Sequence, residues 1–159
     1  MIKILTFNKL YLFISTISIF SLLSAIYIEY VLGVRPCILC LYQRLPYIIS
    51  IFLCFFGYYN LENKLWIYLL IIIFLFGSVL SGYHVGIENN FFKEFSGCTS
   101  NNLNITDKKE LLNSLRESQP NCKDVTFKLL GFSLATINLF LSIFIVILSV
   151  MVFKNEKNR

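Results

Sequence analysis

The residues with the most distinctive chemistry in this sequence are its five cysteines, which are Cys37, Cys40, Cys54, Cys98 and Cys122. Cys37 and Cys40 form a C-x-x-C motif, whose short loop favours reversible pairing and whose thiolates can have lowered pKa values. A disulfide stabilises a fold most when it closes a long loop, so a four-residue clip contributes little stability. We therefore predict a redox role for this pair.

Cys98 and Cys122 enclose 23 residues of a polar region. A disulfide between them could simply brace a flexible loop. It could also exchange with the C-x-x-C pair through mixed disulfides, if both pairs lie on the same side of a membrane. The four cysteines match no compact zinc module in their spacing, and we expect no metal. Cys54 lies within an apolar stretch, where a thiol behaves as a small apolar group, and we expect it to be inert.

Two further residues could act beside the cysteines. Arg44 follows Cys40 by four residues, and its charge could stabilise a thiolate or a developing oxyanion; alternatively, it could reach the lipid headgroups. His84 is the single histidine. It could bond a ligand carbonyl or exchange a proton, or it could be satisfied structurally by Glu88 or the backbone. We expect Asn138 to be an interhelical hydrogen-bonding residue.

The composition indicates the environment of these residues. Apolar residues make up 57% of the chain, charged residues make up 14%, and the mean hydropathy is +0.70. Soluble proteins average about 45–50% apolar and about 25% charged residues. The net charge of +5 is not gathered into a basic patch with interleaved aromatics, so we expect no nucleic acid partner. The sequence predicts a protein of the lipid bilayer.

Four apolar stretches could form the membrane spans, and they are Leu10–Ile28, Leu45–Tyr59, Leu65–Tyr83 and Leu129–Phe153. A span needs about 20 mostly apolar residues, and the second stretch is short and carries Pro46 near its start. The first stretch is too long for the apolar core of a cleaved signal peptide, so we expect it to be retained. The predicted fold is an all-α integral membrane four-helix bundle, a single domain over residues 1–159.

The distribution of basic residues predicts the orientation. If both termini lie inside, the inner segments are 1–9, 60–64 and 154–159, and they hold six Lys/Arg in 20 residues. The outer segments 29–44 and 84–128 hold eight Lys/Arg in 61 residues. The positive-inside rule therefore places both termini in the cytoplasm. The two outer segments then share one side of the membrane, and they contain every cysteine except Cys54.

These features together resemble a known family. The segment Cys37-Ile38-Leu39-Cys40-Leu41-Tyr42-Gln43-Arg44, the four spans, the motif over Tyr83–Glu88 and the second cysteine pair in the last outer loop resemble the bacterial disulfide bond formation protein B family, DsbB. The resemblance covers nearly the whole chain. The C-x-x-C-x-x-x-R arrangement beside a span is specific when it is joined to the second pair.

The resemblance implies a membrane dithiol:quinone oxidoreductase of the bacterial inner membrane. A DsbA-like periplasmic thiol oxidase would pass electrons to a disulfide between Cys98 and Cys122. Electrons would then reach Cys37 and Cys40, and finally ubiquinone or menaquinone from the membrane pool. By the same resemblance, Cys40 would face the quinone, Arg44 would help to hold it, and His84 would lie near the same site.

Two other interpretations remain open from the sequence. A vitamin K epoxide reductase-like protein also combines four spans, a C-x-x-C motif and a quinone. The arginine after the C-x-x-C motif and the position of that motif near the first outer loop favour the DsbB-like interpretation. A non-enzymatic membrane protein could instead use two disulfides only to brace its exterior.

Overall fold

The computed structural model describes residues 7–61, 63–94, 120–123, 127–129 and 131–157. Five helices and one short hairpin follow each other in these residues: α1 (Phe7–Tyr30), α2 (Ile38–Tyr42), α3 (Leu45–Tyr59), α4 (Leu65–Glu88), β1 (Lys128–Leu129), β2 (Phe132–Ser133) and α5 (Leu134–Lys157). Four helical segments are long and apolar enough to cross a membrane, with α2 and α3 together forming the second. The predicted all-α membrane bundle is confirmed.

Proline explains why the second span is divided. The ring of Pro46 clashes with the carbonyl of the residue four positions earlier, and Pro46 has no N–H to donate. Helix α2 accordingly ends at Tyr42, and α3 begins at Leu45 with Pro46 in its first turn. The two-residue break consists of Gln43 and Arg44, which therefore lie beside the C-x-x-C motif, at the same end of the bundle.

The ends of the other helices differ from the sequence prediction. Helix α4 continues five residues beyond Tyr83 to Glu88, so His84 lies inside the helix and not in the outer loop. The fourth span begins at Leu134, not at Leu129, because the preceding residues form the hairpin. Gly131 has a φ of 87° in the hairpin turn, a conformation that glycine adopts without steric cost.

The helices pack as a bundle in which α4 lies against α5 and α3, and α3 lies against α1. By contrast, α1 meets α5 over only a small area. The core contains large apolar side chains such as Leu10, Leu70 and Phe74. Aromatic residues such as Phe76 and Phe140 point outward, as expected where the surrounding solvent is lipid. The loose contact between α1 and α5 leaves space for a cavity.

Candidate functional site

The C-x-x-C motif lies at the start of α2. Cys37 is the N-cap residue, and its sulfur accepts a 3.3 Å hydrogen bond from the backbone N–H of Cys40. Both cysteines carry free thiols, and their sulfur atoms are 2.8 Å apart. Cys37 is buried and Cys40 is half-buried. Pro36 precedes the cap and restricts the backbone entering the helix. The local sequence therefore holds the two sulfurs together at a helix N-terminus.

His84 approaches this pair from α4. Its Nε2 is 3.6 Å from the sulfur of Cys37 and 3.8 Å from Oε1 of Glu88. On the other side of the ring, Nδ1 is 2.9 Å from the amide nitrogen of Gln43. The ring is buried, and Glu88 also accepts a hydrogen bond from the hydroxyl of Ser133. The structure therefore brings His84 to the cysteines and also gives it Glu88 as a structural neighbour.

A chain of side-chain hydrogen bonds continues from His84 across three helices. Asn138 on α5 donates to the amide oxygen of Gln43 over 2.9 Å and to the hydroxyl of Ser81 over 2.8 Å. The hydroxyl of Tyr47 on α3 donates to the amide oxygen of Asn138. Asn138 is thus an interhelical hydrogen-bonding residue, as its polar side chain within an apolar span predicts, and it also connects the bundle interior to the cysteines.

The surroundings of Cys37 favour its thiolate. The hydrogen bond between the two thiols, together with the hydrogen bond from His84, holds the pKa of Cys37 well below its usual range, although burial opposes this effect. Two donors converge on this sulfur, namely the backbone N–H of Cys40 and the ring of His84, and the sulfur of Cys40 lies 2.8 Å from it. Hydrogen bonds to the charged form are a recognised cause of such a shift.

A cavity of about 610 Å³ borders the site. Its polar wall includes Cys37, Cys40, Arg44 and His84, and its remaining wall is mostly apolar, with contributions from α1 and α5. Arg44 lies at the N-cap of α3 and donates a 2.6 Å hydrogen bond to Glu29 at the end of α1. An apolar cavity with a few converging polar groups is typical of a binding site for a small molecule.

This donor set fits a quinone. The ring carbonyls of a quinone need hydrogen-bond donors, which Arg44 can supply, and the isoprenoid tail needs an apolar wall. The two thiols line the same cavity and can supply electrons. The cavity therefore has the polar and apolar parts that the predicted cofactor requires.

Cys37, Cys40 and His84 could also be considered as metal ligands, because their ligand atoms all lie within 4.8 Å of one another. A metal would need the lone pair of Nε2, the nitrogen that faces the sulfurs. The amide nitrogen of Gln43 can only donate, so it occupies the lone pair of Nδ1 and leaves the proton of the neutral ring on Nε2. This hydrogen-bond pattern does not fit metal binding.

The second cysteine pair is described in part. Cys122 is disulfide-bonded and buried, and it belongs to one buried cluster with Cys37 and Ile87. Cys98 lies outside the described residues.

Cys54 lies elsewhere, in the core between α1, α3 and their neighbours, and is 2% exposed. No redox partner is found for it among the cysteines that the structure describes, since Cys37 and Cys40 are at the other end of the span. That this thiol is inert stays a prediction.

Sequence reasoning missed two contributors to the site. Gln43 was passed over, although it lies between Cys40 and Arg44, and an amide in that position beside a span is a usable signal. Glu29 was not identified as a contributor to the site. Its pairing with Arg44 depends on how α1 and α3 pack, which no local pattern indicates.

Comparison with known proteins agrees with this geometry. The family model described as disulfide bond formation protein DsbB matches residues 7–152. An uncharacterized protein of Rickettsia prowazekii (strain Madrid E) is 31% identical, with 96% of this chain and 92% of the relative covered. Disulfide bond formation protein B of Xylella fastidiosa (strain Temecula1 / ATCC 700964) is 24% identical, with 85% of this chain and 83% of the relative covered. With four membrane-spanning segments and paired thiols at one end of the bundle, the chain belongs to the DsbB family of membrane oxidoreductases that support disulfide bond formation.

Proposed function

We propose that this protein reoxidises a DsbA-like periplasmic thiol oxidase and passes the electrons to a membrane quinone. The observation that carries this proposal is the arrangement of Cys37, Cys40, Arg44, His84 and Cys122 around one largely apolar cavity. A bracing disulfide alone needs neither a free C-x-x-C pair nor a cavity beside it. The family match favours the same function over the vitamin K epoxide reductase-like interpretation.

The first step is an exchange between the partner and the outer loop. The partner's dithiol reduces the disulfide of Cys98 and Cys122, so the partner leaves with a disulfide and the loop holds two thiols. A loop thiolate then attacks the Cys37–Cys40 disulfide through a mixed disulfide. Cys122 and Cys37 belong to one buried cluster, so we assign Cys37 as the sulfur that is attacked and Cys40 as the leaving thiolate. The loop disulfide reforms, and Cys37 and Cys40 are left reduced.

The second step returns the C-x-x-C pair to its disulfide. A quinone, when bound, supplies an acceptor for the two electrons and two protons that this oxidation releases. Arg44 would hold a ring carbonyl by donating a hydrogen bond, and the apolar walls from α1 and α5 would hold the tail. The half-buried Cys40 lines the cavity beside them. Ubiquinone and menaquinone both have the ring carbonyls and tail that these walls can accept.

We further propose that the protein is placed in the bacterial inner membrane with both termini in the cytoplasm. The positive-inside distribution supports this orientation. It puts the outer ends of α2 and α4, with Cys37 and His84, on the periplasmic side. A periplasmic thiol oxidase could then reach the loop disulfide without crossing the bilayer.

An anaerobic titration tests the proposal. The purified protein is mixed with quinone and a reduced DsbA-like protein, and quinone reduction is followed by absorbance. We expect one quinone reduced per partner disulfide formed, and no reduction after Cys37→Ser. Quinone reduction that survives Cys37→Ser would contradict the electron path.

Trapping tests the partner separately. In the Cys98→Ser or Cys122→Ser variant, the remaining loop thiol should accumulate as a mixed disulfide with the thioredoxin-like partner. Cys54→Ser is the matched control, because it removes a thiol from the core and not from the path. A loop that only braces the exterior would form no such adduct.

A further inference from the structure

The side chain of Gln43 joins His84 to Asn138 inside the bundle. Its amide nitrogen is 2.9 Å from Nδ1 of His84, and its amide oxygen accepts a 2.9 Å hydrogen bond from Nδ2 of Asn138. The side chain is buried, at 7% exposure. Both ends of this amide therefore have partners inside the bundle, of which His84 is buried and Asn138 is half-buried. The orientation of the amide decides which atom each partner meets.

The hydrogen bonds beyond Asn138 determine that orientation. The hydroxyl of Ser81 donates to a backbone carbonyl of its own helix over 2.8 Å, so its oxygen is left to accept from Nδ2 of Asn138. The hydroxyl of Tyr47 donates to Oδ1 of Asn138. Asn138 therefore directs its second N–H at Gln43. Gln43 accepts with its oxygen, and its nitrogen must face the histidine.

The state of His84 follows from this orientation. An amide N–H only donates, so Nδ1 of His84 accepts with its lone pair, and the proton of the neutral ring is on Nε2. Nε2 is the nitrogen that faces the sulfur of Cys37, at 3.6 Å. We propose that Gln43 is a positioning residue, held by Asn138, that keeps the Nε2–H of His84 directed at the sulfur of Cys37.

The consequence is a stabilised thiolate of Cys37 in the reduced C-x-x-C pair. This inference rests on the proposed function in that it treats Cys37 as a redox thiol. A thiolate is the reactive form in disulfide exchange, and a donor aimed at the sulfur stabilises it. The other titratable groups near this sulfur are Cys40 on its own helix and Glu88 beside His84, while Arg35 and Arg44 line the same cavity. Cys122 is in a disulfide and does not titrate.

The test is the pH profile of Cys37 alkylation. The full-length protein is reduced without quinone or partner and treated with iodoacetamide over a pH series, and mass spectrometry measures modification of each cysteine. Gln43→Met keeps the length of the side chain but removes the amide. We expect the apparent pKa of Cys37 to rise by about one unit, which slows its alkylation about tenfold at pH values below the wild-type pKa.

A double-mutant cycle separates positioning from packing. If Gln43 acts through His84, then adding Gln43→Met to His84→Ala should change the pH profile no further. Asn138→Leu is a second variant, which frees the Gln43 amide without altering Gln43, and it should shift the profile in the same direction. Asn60→Leu is the matched control, because it removes an exposed amide at the opposite end of α3.

The outcomes are distinct. The inference is overturned if the pH profile of Cys37 alkylation is unchanged in both Gln43→Met and Asn138→Leu. It is also overturned if Gln43→Met shifts the apparent pKa of Cys37 equally in the wild-type background and in the His84→Ala background. If Gln43→Met does not fold, the Asn138→Leu profile decides. The assay uses neither quinone nor partner, so its failure would leave the proposed electron path standing. Conversely, a wild type that cannot reduce quinone would refute that path and leave the positioning role intact.

Discussion

Replacing His84 by alanine removes the imidazole ring that donates to the sulfur of Cys37, and it should change the reduction potential of the Cys37–Cys40 pair. In the reduced state, this donor stabilises the thiolate of Cys37, whose pKa is lowered by Cys40 and His84. The oxidised pair has no thiolate to stabilise. Removing the donor therefore destabilises only the reduced form, and the potential should become more negative.

The geometry sets the size of the effect. A hydrogen bond to a charged group contributes about 1.5–3 kcal/mol, and the 3.6 Å separation from Nε2 to the sulfur indicates the low end of that range. We therefore use about 1.4 kcal/mol, which corresponds to about one pKa unit. For a two-electron couple, the same free energy corresponds to about 30 mV. The potential of the variant should thus be about 30 mV more negative at neutral pH.

The assay equilibrates quinone-free protein in dithiothreitol redox buffers, quenches it by alkylation and measures the reduced fraction of Cys37 and Cys40 by mass spectrometry. Tyr83→Phe is the control, because it removes a hydroxyl from the neighbouring residue of α4 that bonds the backbone of Lys93 and not the cysteines. The difference in reduction potential between His84→Ala and wild type should shrink as the pH falls through the pKa of Cys37, because Cys37 is then a thiol in both proteins. An unchanged or more positive potential at neutral pH would refute the reasoning.

Four further outcomes are expected. Arg44→Met should raise the KM for quinone at least about tenfold in steady-state quinone reduction, because a charge-assisted hydrogen bond to the ring is lost; an unchanged KM would show that Arg44 serves only its 2.6 Å pairing with Glu29. Cys54→Ser should leave kcat within about twofold, and a larger loss in a folded variant would contradict its placement in the core. Asn138→Leu should lower the free energy of unfolding by about 1–2 kcal/mol, because it removes three interhelical hydrogen bonds, which average about 0.6 kcal/mol each in membranes. Denaturation followed by circular dichroism measures this free energy. Because the pKa of Cys37 is lower in the folded protein than in the unfolded chain, its thiolate stabilises the folded, reduced protein at pH values above the unfolded-state pKa. This stabilisation is lost as the pH falls through the pKa of Cys37 in the folded state. The difference in Tm between the reduced protein and Cys37→Ser should therefore disappear in acid.

Local composition was sufficient to predict the membrane-spanning architecture. Span assignment depends on the summed hydropathy of consecutive residues, which needs no knowledge of the partners, and α3 has the predicted bounds of Leu45–Tyr59. The C-x-x-C motif was also evident, because both thiols lie within one helical turn. The predicted end of α4 and the predicted start of α5 were less accurate. The start of α5 follows a hairpin, which depends on pairing between Lys128–Leu129 and Phe132–Ser133.

The site beyond the cysteines was only partly visible in the sequence. His84 and Arg44 were identified as candidates by residue type and by nearness to spans, but their partners were not. Gln43 lies 41 residues from His84 and 95 from Asn138 along the chain, so no local window relates them. Their contact depends on how α3, α4 and α5 are rotated about their axes.

The amino-acid sequence by itself therefore determined that the chain spans the membrane four times and carries a thiol pair at one end of a span, because hydropathy and short motifs are local properties. Only the tertiary structure decided which nitrogen of His84 faces Cys37, that Arg44 pairs with Glu29, and that α1 and α5 leave a cavity beside the thiols. These features depend on directional hydrogen bonds and on gaps between helices, and both are set by the way whole side chains interlock.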